Sequence, residues 1–348
     1  MSVAEDGIES EYIPTIDFSL LSASVEDEDL NLEMLEWLSE HVLFALKNTG
    51  FLYLKNCGLE KEEVELVNKL CSDFFQLPEN EKQKFSRGSS DERNHGYVGY
   101  QVESLDPRHP SDLKEAFNFV PFEVQMFGLQ WPNAQFESCL TQFYLKMKKI
   151  SLRLLMAIAV GLNQDVNFFS ENHENIGGEG NPTAMRCLYY PPLEKSQLSK
   201  VKPGQLRCGE HSDYGSVTLL VSEDISGLQV LNREGKFVHI DKSDDPTHIL
   251  VNVGDLMQRW TDDEILAAKH RVSFNSAKLL EHSESSGDVG SVNNSEDCEK
   301  VVCPKRQSIA FFVHPDDQTI VKSLKGISKY APISAGDYLK QRFRETYK

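Results

Sequence analysis

The clearest chemistry in this sequence lies in Arg207-Cys208-Gly209-Glu210-His211-Ser212-Asp213-Tyr214-Gly215-Ser216-Val217-Thr218-Leu219-Leu220, where His211 and Asp213 stand two positions apart. Alternate residues of an extended strand share a face, so an imidazole and a carboxylate aim at a common point. His270, in Ala268-Lys269-His270-Arg271-Val272-Ser273-Phe274, can supply a third donor. Two imidazoles and one carboxylate make the face that holds ferrous iron while leaving coordination positions open.

The dipeptide alone is weak. With 10 His and 54 Asp+Glu among 348 residues, roughly one or two His-x-Asp/Glu matches arise by chance. His239/Asp241, His282/Glu284 and His314/Asp316 are such matches. His282 lies in a Ser/Gly/acidic tract, His314 precedes a Pro and has no later His, and His239 follows a Gly235-Lys236 turn. Only His211/Asp213 combines a Gly entry, a following apolar strand and a later His on another strand. Further along, Lys305-Arg306-Gln307-Ser308-Ile309-Ala310-Phe311-Phe312-Val313 puts Arg306 and Ser308 on one strand face. A guanidinium fork beside a hydroxyl suits a carboxylate. Arg271, next to His270, is expected in a structural ion pair.

Several elements must position these residues. Ile13–Phe18 reads as a first edge strand, since Pro14 cannot donate to a ladder. Apolar residues at helical spacing predict helices over about 30–48, 61–75 and 79–85, and a long one over about 133–162. Thr49-Gly50 reads as a helix stop before the strand Phe51–Leu54. Residues 248–253 read as another strand, ended by Gly254-Asp255. Alternating short strands and Gly-bearing turns from Thr183 to Pro315 predict an antiparallel barrel or jelly roll. The fold class is α+β, an antiparallel barrel or jelly-roll core preceded by N-terminal helices and a long central helix. The division expected is an acidic tail over 1–12, a helical and strand region over 13–178, a jelly-roll domain over 179–316 and an extension over 317–348. A polar stretch at about 280–299 cannot bury a core and reads as a mobile surface insertion or a lid.

The ordered set Gly-Glu-His-Ser-Asp-Tyr-Gly, Gly-Leu-Gln-Val (227–230), Val-Asn-Val-Gly-Asp-Leu-Met (251–257), His-Arg-Val (270–272) and Arg-Gln-Ser-Ile-Ala-Phe-Phe (306–312) resembles the isopenicillin N synthase-like branch of the 2-oxoglutarate- and Fe(II)-dependent dioxygenases. Asn48-Thr49-Gly50-Phe51, Phe75-Gln76-Leu77-Pro78 and Lys114-Glu115-Ala116-Phe117-Asn118-Phe119 resemble its N-terminal part, so the likeness runs from about Ile13 to about Pro315. The resemblance implies His211, Asp213 and His270 as ligands of Fe(II). It implies Arg306, Ser308 and Tyr190 at the cosubstrate 2-oxoglutarate, with ascorbate as a possible reductant. Phe117 and Phe119 become substrate-side candidates, with packing in the core as their alternative. The implied reaction hydroxylates or desaturates a small organic molecule, using O2, as 2-oxoglutarate is decarboxylated to succinate and CO2. Leu188 stands where many plant members carry Asn, and the stretch from His270 to Arg306 is longer than the family pattern.

Composition narrows the partners. A net charge of −18 repels phosphate backbones and argues against nucleic acid. The most apolar helix, 150–161, is too short for a membrane span and contains Arg153. Seven scattered cysteines without a Cys-x-x-Cys pair, and no signal-peptide character at the start, predict a reduced cytoplasmic protein and, by default, a monomer. Three functions stay open: the dioxygenase, an iron oxidase of the same fold that does not use 2-oxoglutarate, and a metal- or ligand-binding protein without catalysis.

Overall fold

A computed structural model describes residues 2–3, 9–30, 32–88, 93–222, 226–241, 243–274, 301–326 and 329–346. The insertion expected at 280–299, with His282 and Glu284, lies outside the described residues.

Two sheets carry the fold. The larger has eight strands in the order Thr15–Asp17, Phe51–Lys55, Ile249–Val253, Val217–Val221, Arg306–Val313, Ala184–Tyr190, Glu115–Phe119 and Gly96–Val98. The smaller has six, in the order Ser2–Val3, Glu9–Glu11, Phe237–Ile240, Leu228–Leu231, His270–Val272 and Cys208–His211. The first edge strand sits at the rim of the large sheet, paired in parallel with Phe51–Lys55. The expected N-terminal tail instead contributes two short strands, one of them parallel to Phe237–Ile240.

Strand periodicity divides the large sheet into two faces. Val217, Leu219, Val221, Ile249, Val251, Val253, Ile309, Phe311 and Val313 point toward the helices and pack in the main core. This core includes Leu38, Val42 and Leu46 of the helix Leu32–Thr49, Val64 and Val67 of Lys61–Phe75, and Phe143, Met147, Ile150 and Leu154 of Ala134–Gly161. The opposite face meets the small sheet in a second cluster of Phe51, Tyr53, Tyr190 and Leu250 with Cys208, Leu228, Val230, Val238, Ile240 and Val272. A strand with both faces covered must be apolar on each. Polar residues on the inward face are therefore exceptions that need a partner, and they mark the site.

The helix boundaries follow local chemistry. Lys61–Phe75 opens on a capping box between Glu60 and Glu63, which satisfies two orphan N–H groups. Asn133 caps the long helix by accepting from Phe136 N. Leu32–Thr49 stops at Gly50, whose φ of 73° favours glycine. Arg153 is buried and donates to the Ser22 and Val25 carbonyls and to Asp27. Among the described residues, no helix is long and apolar enough to cross a membrane.

Period two also decides between the core and substrate-side readings of two aromatics. Phe117 and Phe119, 0% and 2% exposed, share the helix-side face with Cys187 and Met185, their register partners. Their rings pack against Phe74, Trp131, Phe136 and Tyr144. They are core residues, turned away from the barrel interior, and not substrate-side groups.

Candidate iron and cosubstrate site

Cys208–His211 and His270–Val272 are neighbouring antiparallel strands, with His270 in register with His211. Asp213 lies just beyond the first strand, in the turn before Val217–Val221. The structure thus brings one donor atom from each of His211, Asp213 and His270 within 4.8 Å of one another. Asp213 Oδ1 is 3.8 Å from His211 Nε2 and 3.9 Å from His270 Nε2.

Each imidazole is oriented by its other nitrogen. His211 Nδ1 is 2.8 Å from the Gly209 carbonyl oxygen, and His270 Nδ1 is 3.1 Å from that of Ala268. A carbonyl only accepts, so both Nδ1 atoms carry the proton and both Nε2 lone pairs face the shared point. Asn252, in register with Thr218, donates to Asp213 Oδ2 at 2.7 Å. Burial alone would raise the Asp213 carboxyl, but His270, His211, Asn252 and Thr218 outweigh it and hold the group below the usual carboxylate range. Burial, followed by the adjacent His270, pushes His211 down to about 3. A neutral imidazole and an ionised carboxylate are the states that bind a divalent cation.

The loop that carries Asp213 is held by close backbone approach. Gly254 N donates to Ser216 O, and Asp255 N donates to Asp213 O. A Cβ on Gly254 would collide with the Gly215 carbonyl oxygen and lie 2.9 Å from that of Asp213. Glycine is needed there for space.

Deeper in the barrel, Arg306 and Ser308 are 2% and 0% exposed, and an Arg306 guanidinium nitrogen lies 3.4 Å from Ser308 Oγ. Arg306 stands in register with Tyr190, whose ring lies under its guanidinium, 4.9 Å from centroid to carbon. Arg306 Nε is buried without a partner, and among the described residues no carboxylate pairs with this guanidinium. An uncompensated buried charge is costly. A carboxylate held by Arg306 and Ser308 would relieve that cost, so the residues present fit 2-oxoglutarate, as the three convergent donors fit Fe(II).

A cavity of about 460 Å³ opens beside the metal donors. Its walls include His211, Tyr214, Asp255, Tyr330, Tyr338 and Arg342. Tyr338 of the C-terminal helix Ala335–Thr346 donates to Asp255 Oδ2 at 2.9 Å, and Arg342 Nε lies 3.3 Å from the same oxygen.

The other sequence candidates fall elsewhere. His239 is on the Phe237–Ile240 strand, in register with Gln229. His314 is buried, and Asp316 accepts from Asn175 and Asn181. Arg271 makes no described ion pair of the kind expected: its Nε donates to Gln229 Oε1 at 2.8 Å and its guanidinium lies 3.8 Å from the Phe237 ring centroid. Sequence reasoning did not assign Asn252, Arg207, Asp255, Tyr338 or Arg342. Asn252 carried a usable signal, being the single polar residue of an otherwise apolar strand.

Comparison with known proteins agrees with this geometry. Residues 13–134 match the model of the N-terminal region of the non-haem dioxygenase in morphine synthesis, and residues 182–315 match that of the 2OG-Fe(II) oxygenase superfamily. The chain is 31% identical to a UPF0676 protein of Schizosaccharomyces pombe, over 96% of this chain and 92% of that one. It is 28% identical to the 2-oxoglutarate-Fe(II) type oxidoreductase ppzD of Metarhizium rileyi, over 87% and 84%. A full-length Neurospora crassa protein, crystallised with alpha-KG and thymine, superposes with a TM-score of 0.74 at 28% identity, covering 96% of both chains. The chain belongs to the 2OG-Fe(II) oxygenase superfamily: it is a 2-oxoglutarate- and Fe(II)-dependent dioxygenase that hydroxylates or desaturates a small organic molecule as 2-oxoglutarate is decarboxylated to succinate and CO2.

Proposed function

We propose that His211, Asp213 and His270 ligate the Fe(II), and that Arg306 and Ser308 bind the distal carboxylate of 2-oxoglutarate, with Tyr190 fixing the guanidinium. The observation that carries this assignment is the pairing of a convergent donor set with a buried guanidinium that has no carboxylate partner among the described residues. Bound iron supplies the activation of O2. The chain's residues orient the cosubstrate, keep the His211 imidazole neutral and exclude water from the barrel interior.

The substrate we propose is a small polar heterocycle of pyrimidine size, entering through the cavity between the metal donors and the C-terminal helix. Support comes from the likeness, along nearly the whole chain, to the Neurospora crassa protein whose crystal structure holds thymine. Three tyrosines together with Asp255 and Arg342 in the cavity wall offer ring faces, acceptors and donors to a flat polar molecule. Succinate release above the substrate-free rate is the assay, run with thymine, uracil, a pyridine carboxylate and free proline. Stimulation by a pyrimidine is expected. Stimulation by proline alone would contradict the heterocycle assignment while leaving the dioxygenase intact. The six described cysteines are free, which supports a reducing compartment; we propose the cytoplasm, and a fractionation that places the protein elsewhere would overturn this.

A further inference from the structure

A second guanidinium stands at the cosubstrate end of the barrel. Arg207 is 4% exposed and its guanidinium carbon lies 5.4 Å from the Tyr190 ring centroid, with that of Arg306 4.9 Å from the same centroid. The two charges are therefore no farther apart than the sum of those distances. Among the described residues, no carboxylate pairs with either one, and the Nε of each is buried without a partner. The other buried cation nearby, Lys114, is matched by Asp112 and Glu103, so it does not offset or share the excess.

Arg207 is also placed to control the geometry of Arg306. One of its terminal nitrogens donates to the Pro304 carbonyl at 3.0 Å and lies 3.1 Å from Cys303 Sγ. The other donates to the Pro191 carbonyl at 2.9 Å. Pro191 follows Tyr190, and Pro304 stands two residues before Arg306. Arg207 thus ties the end of one strand to the entry of its partner, at the register pair that frames the cosubstrate. Backbone carbonyls satisfy its donors without neutralising its charge.

Resting on the cosubstrate reading above, we infer that Arg207 is a positioning residue of the distal-carboxylate pocket, whose second positive charge makes the site select 2-oxo dicarboxylates over 2-oxo monocarboxylates. Two like charges buried without counter-ions are costly. A ligand that places a carboxylate beside them offsets part of that cost, and a 2-oxo acid ending in a methyl group cannot.

The test is anaerobic calorimetry on the full-length Fe(II)-loaded protein. The probes are 2-oxoglutarate and 2-oxopentanoate, which has the same chain length without the distal carboxylate. In Arg207→Gln the Kd for 2-oxoglutarate is expected to rise about tenfold or more, the size of a charge interaction at this range in an effective dielectric near 20. The Kd for 2-oxopentanoate should stay within about twofold, while Arg207→Lys keeps most of the preference, since charge and not fork geometry sets it. Equal weakening of both acids in Arg207→Gln would make Arg207 a purely structural residue and overturn the inference, as would no change in either. If Arg207→Gln does not fold, Arg207→Lys decides: loss of the dicarboxylate preference in a folded, iron-binding protein overturns it. A wild-type protein that binds iron but no 2-oxoglutarate would remove the cosubstrate reading itself, and this inference with it.

Discussion

At the scale of single residues, the site depends on groups that orient the donors as much as on the donors themselves. Asn252 holds one Asp213 oxygen at 2.7 Å, leaving the other to face the two imidazoles. Leucine has the same branched outline with methyl groups in place of the amide atoms, so Asn252→Leu removes the hydrogen bond. Iron affinity is expected to fall about 10- to 100-fold, the usual cost of losing a partner to a metal-binding carboxylate, with the metal-free fold destabilised by about 1–3 kcal/mol through the unpaired Asp213 oxygen. Anaerobic Fe(II) titration of the variant measures this. Unaltered affinity would show that the Asp213 rotamer is fixed by other contacts. His211, Asp213 and His270 were legible as candidates from the Gly entry, the following apolar strand and the later His, and the structure does bring them together, although Asp213 lies in the turn past the strand and not on the strand face that the spacing predicted. Asn252 stands inside the longer motif Val-Asn-Val-Gly-Asp-Leu-Met (251–257). Its role depends on a cross-strand neighbour, and register is not visible in a single sequence.

At the scale of elements, the large sheet works because its two faces differ. Arg306, Ser308, Tyr190 and Asn252 are inward on strands whose outward residues are apolar apart from Gln307, which donates to Asn68 of the helix Lys61–Phe75. The same alternation decides between the two readings of Phe117 and Phe119. Their motif resembles one near the substrate side of related barrels, yet their parity puts both rings among the helices. Whether an aromatic on a doubly covered strand faces helices or barrel depends on register, which composition does not reveal. The crossing of the Gly215 and Gly254 backbones shows how the sheet positions the metal loop. Gly254→Ala must displace the Gly215 or Asp213 carbonyl, at a cost of about 1–3 kcal/mol in stability, as for other forced close contacts. It is also expected to weaken Fe(II) binding, because the displaced segment carries Asp213. Thermal melting and metal titration of the same preparation check the two effects. A stable variant with wild-type iron affinity would mean that the loop can shift without moving its carboxylate.

At the scale of the whole molecule, several histidines are buried as neutral groups within the core. Burial pushes His173 and His95 each down to about 4. The unfolded chain takes up these protons below about 6.5, whereas the folded chain resists them until about 4. The stability these neutral histidines provide is full above about pH 6.5 and is lost as pH falls through the window to about 4. For a fully buried group such as His173 the loss is on the order of 3 kcal/mol. His173 Nδ1 donates to Phe169 O and Nε2 accepts from Ser216 Oγ, so His173→Gln should lower stability at pH 7 and flatten its fall between pH 6.5 and 4. Urea unfolding at a series of pH values measures the slope. An unchanged slope would place the acid sensitivity in other groups. The overall architecture was readable from hydrophobic period and turn residues. The cavity wall supplied by the C-terminal helix was not, since Tyr338 and Arg342 meet Asp255 across more than eighty positions of chain, and nothing local announces that contact.

The most direct measurement is anaerobic titration of the metal-free protein with Fe(II) and then 2-oxoglutarate, following the weak visible charge-transfer band that forms when a 2-oxo acid chelates ferrous iron. The wild-type protein should develop the band. His211→Ala should bind little iron and show none, and Arg306→Met should bind iron normally yet need about 100-fold more 2-oxoglutarate, the cost of removing a buried charge partner. A band of wild-type strength in His211→Ala, or an unchanged 2-oxoglutarate requirement in Arg306→Met, would contradict the assignment of these residues to the iron and its cosubstrate.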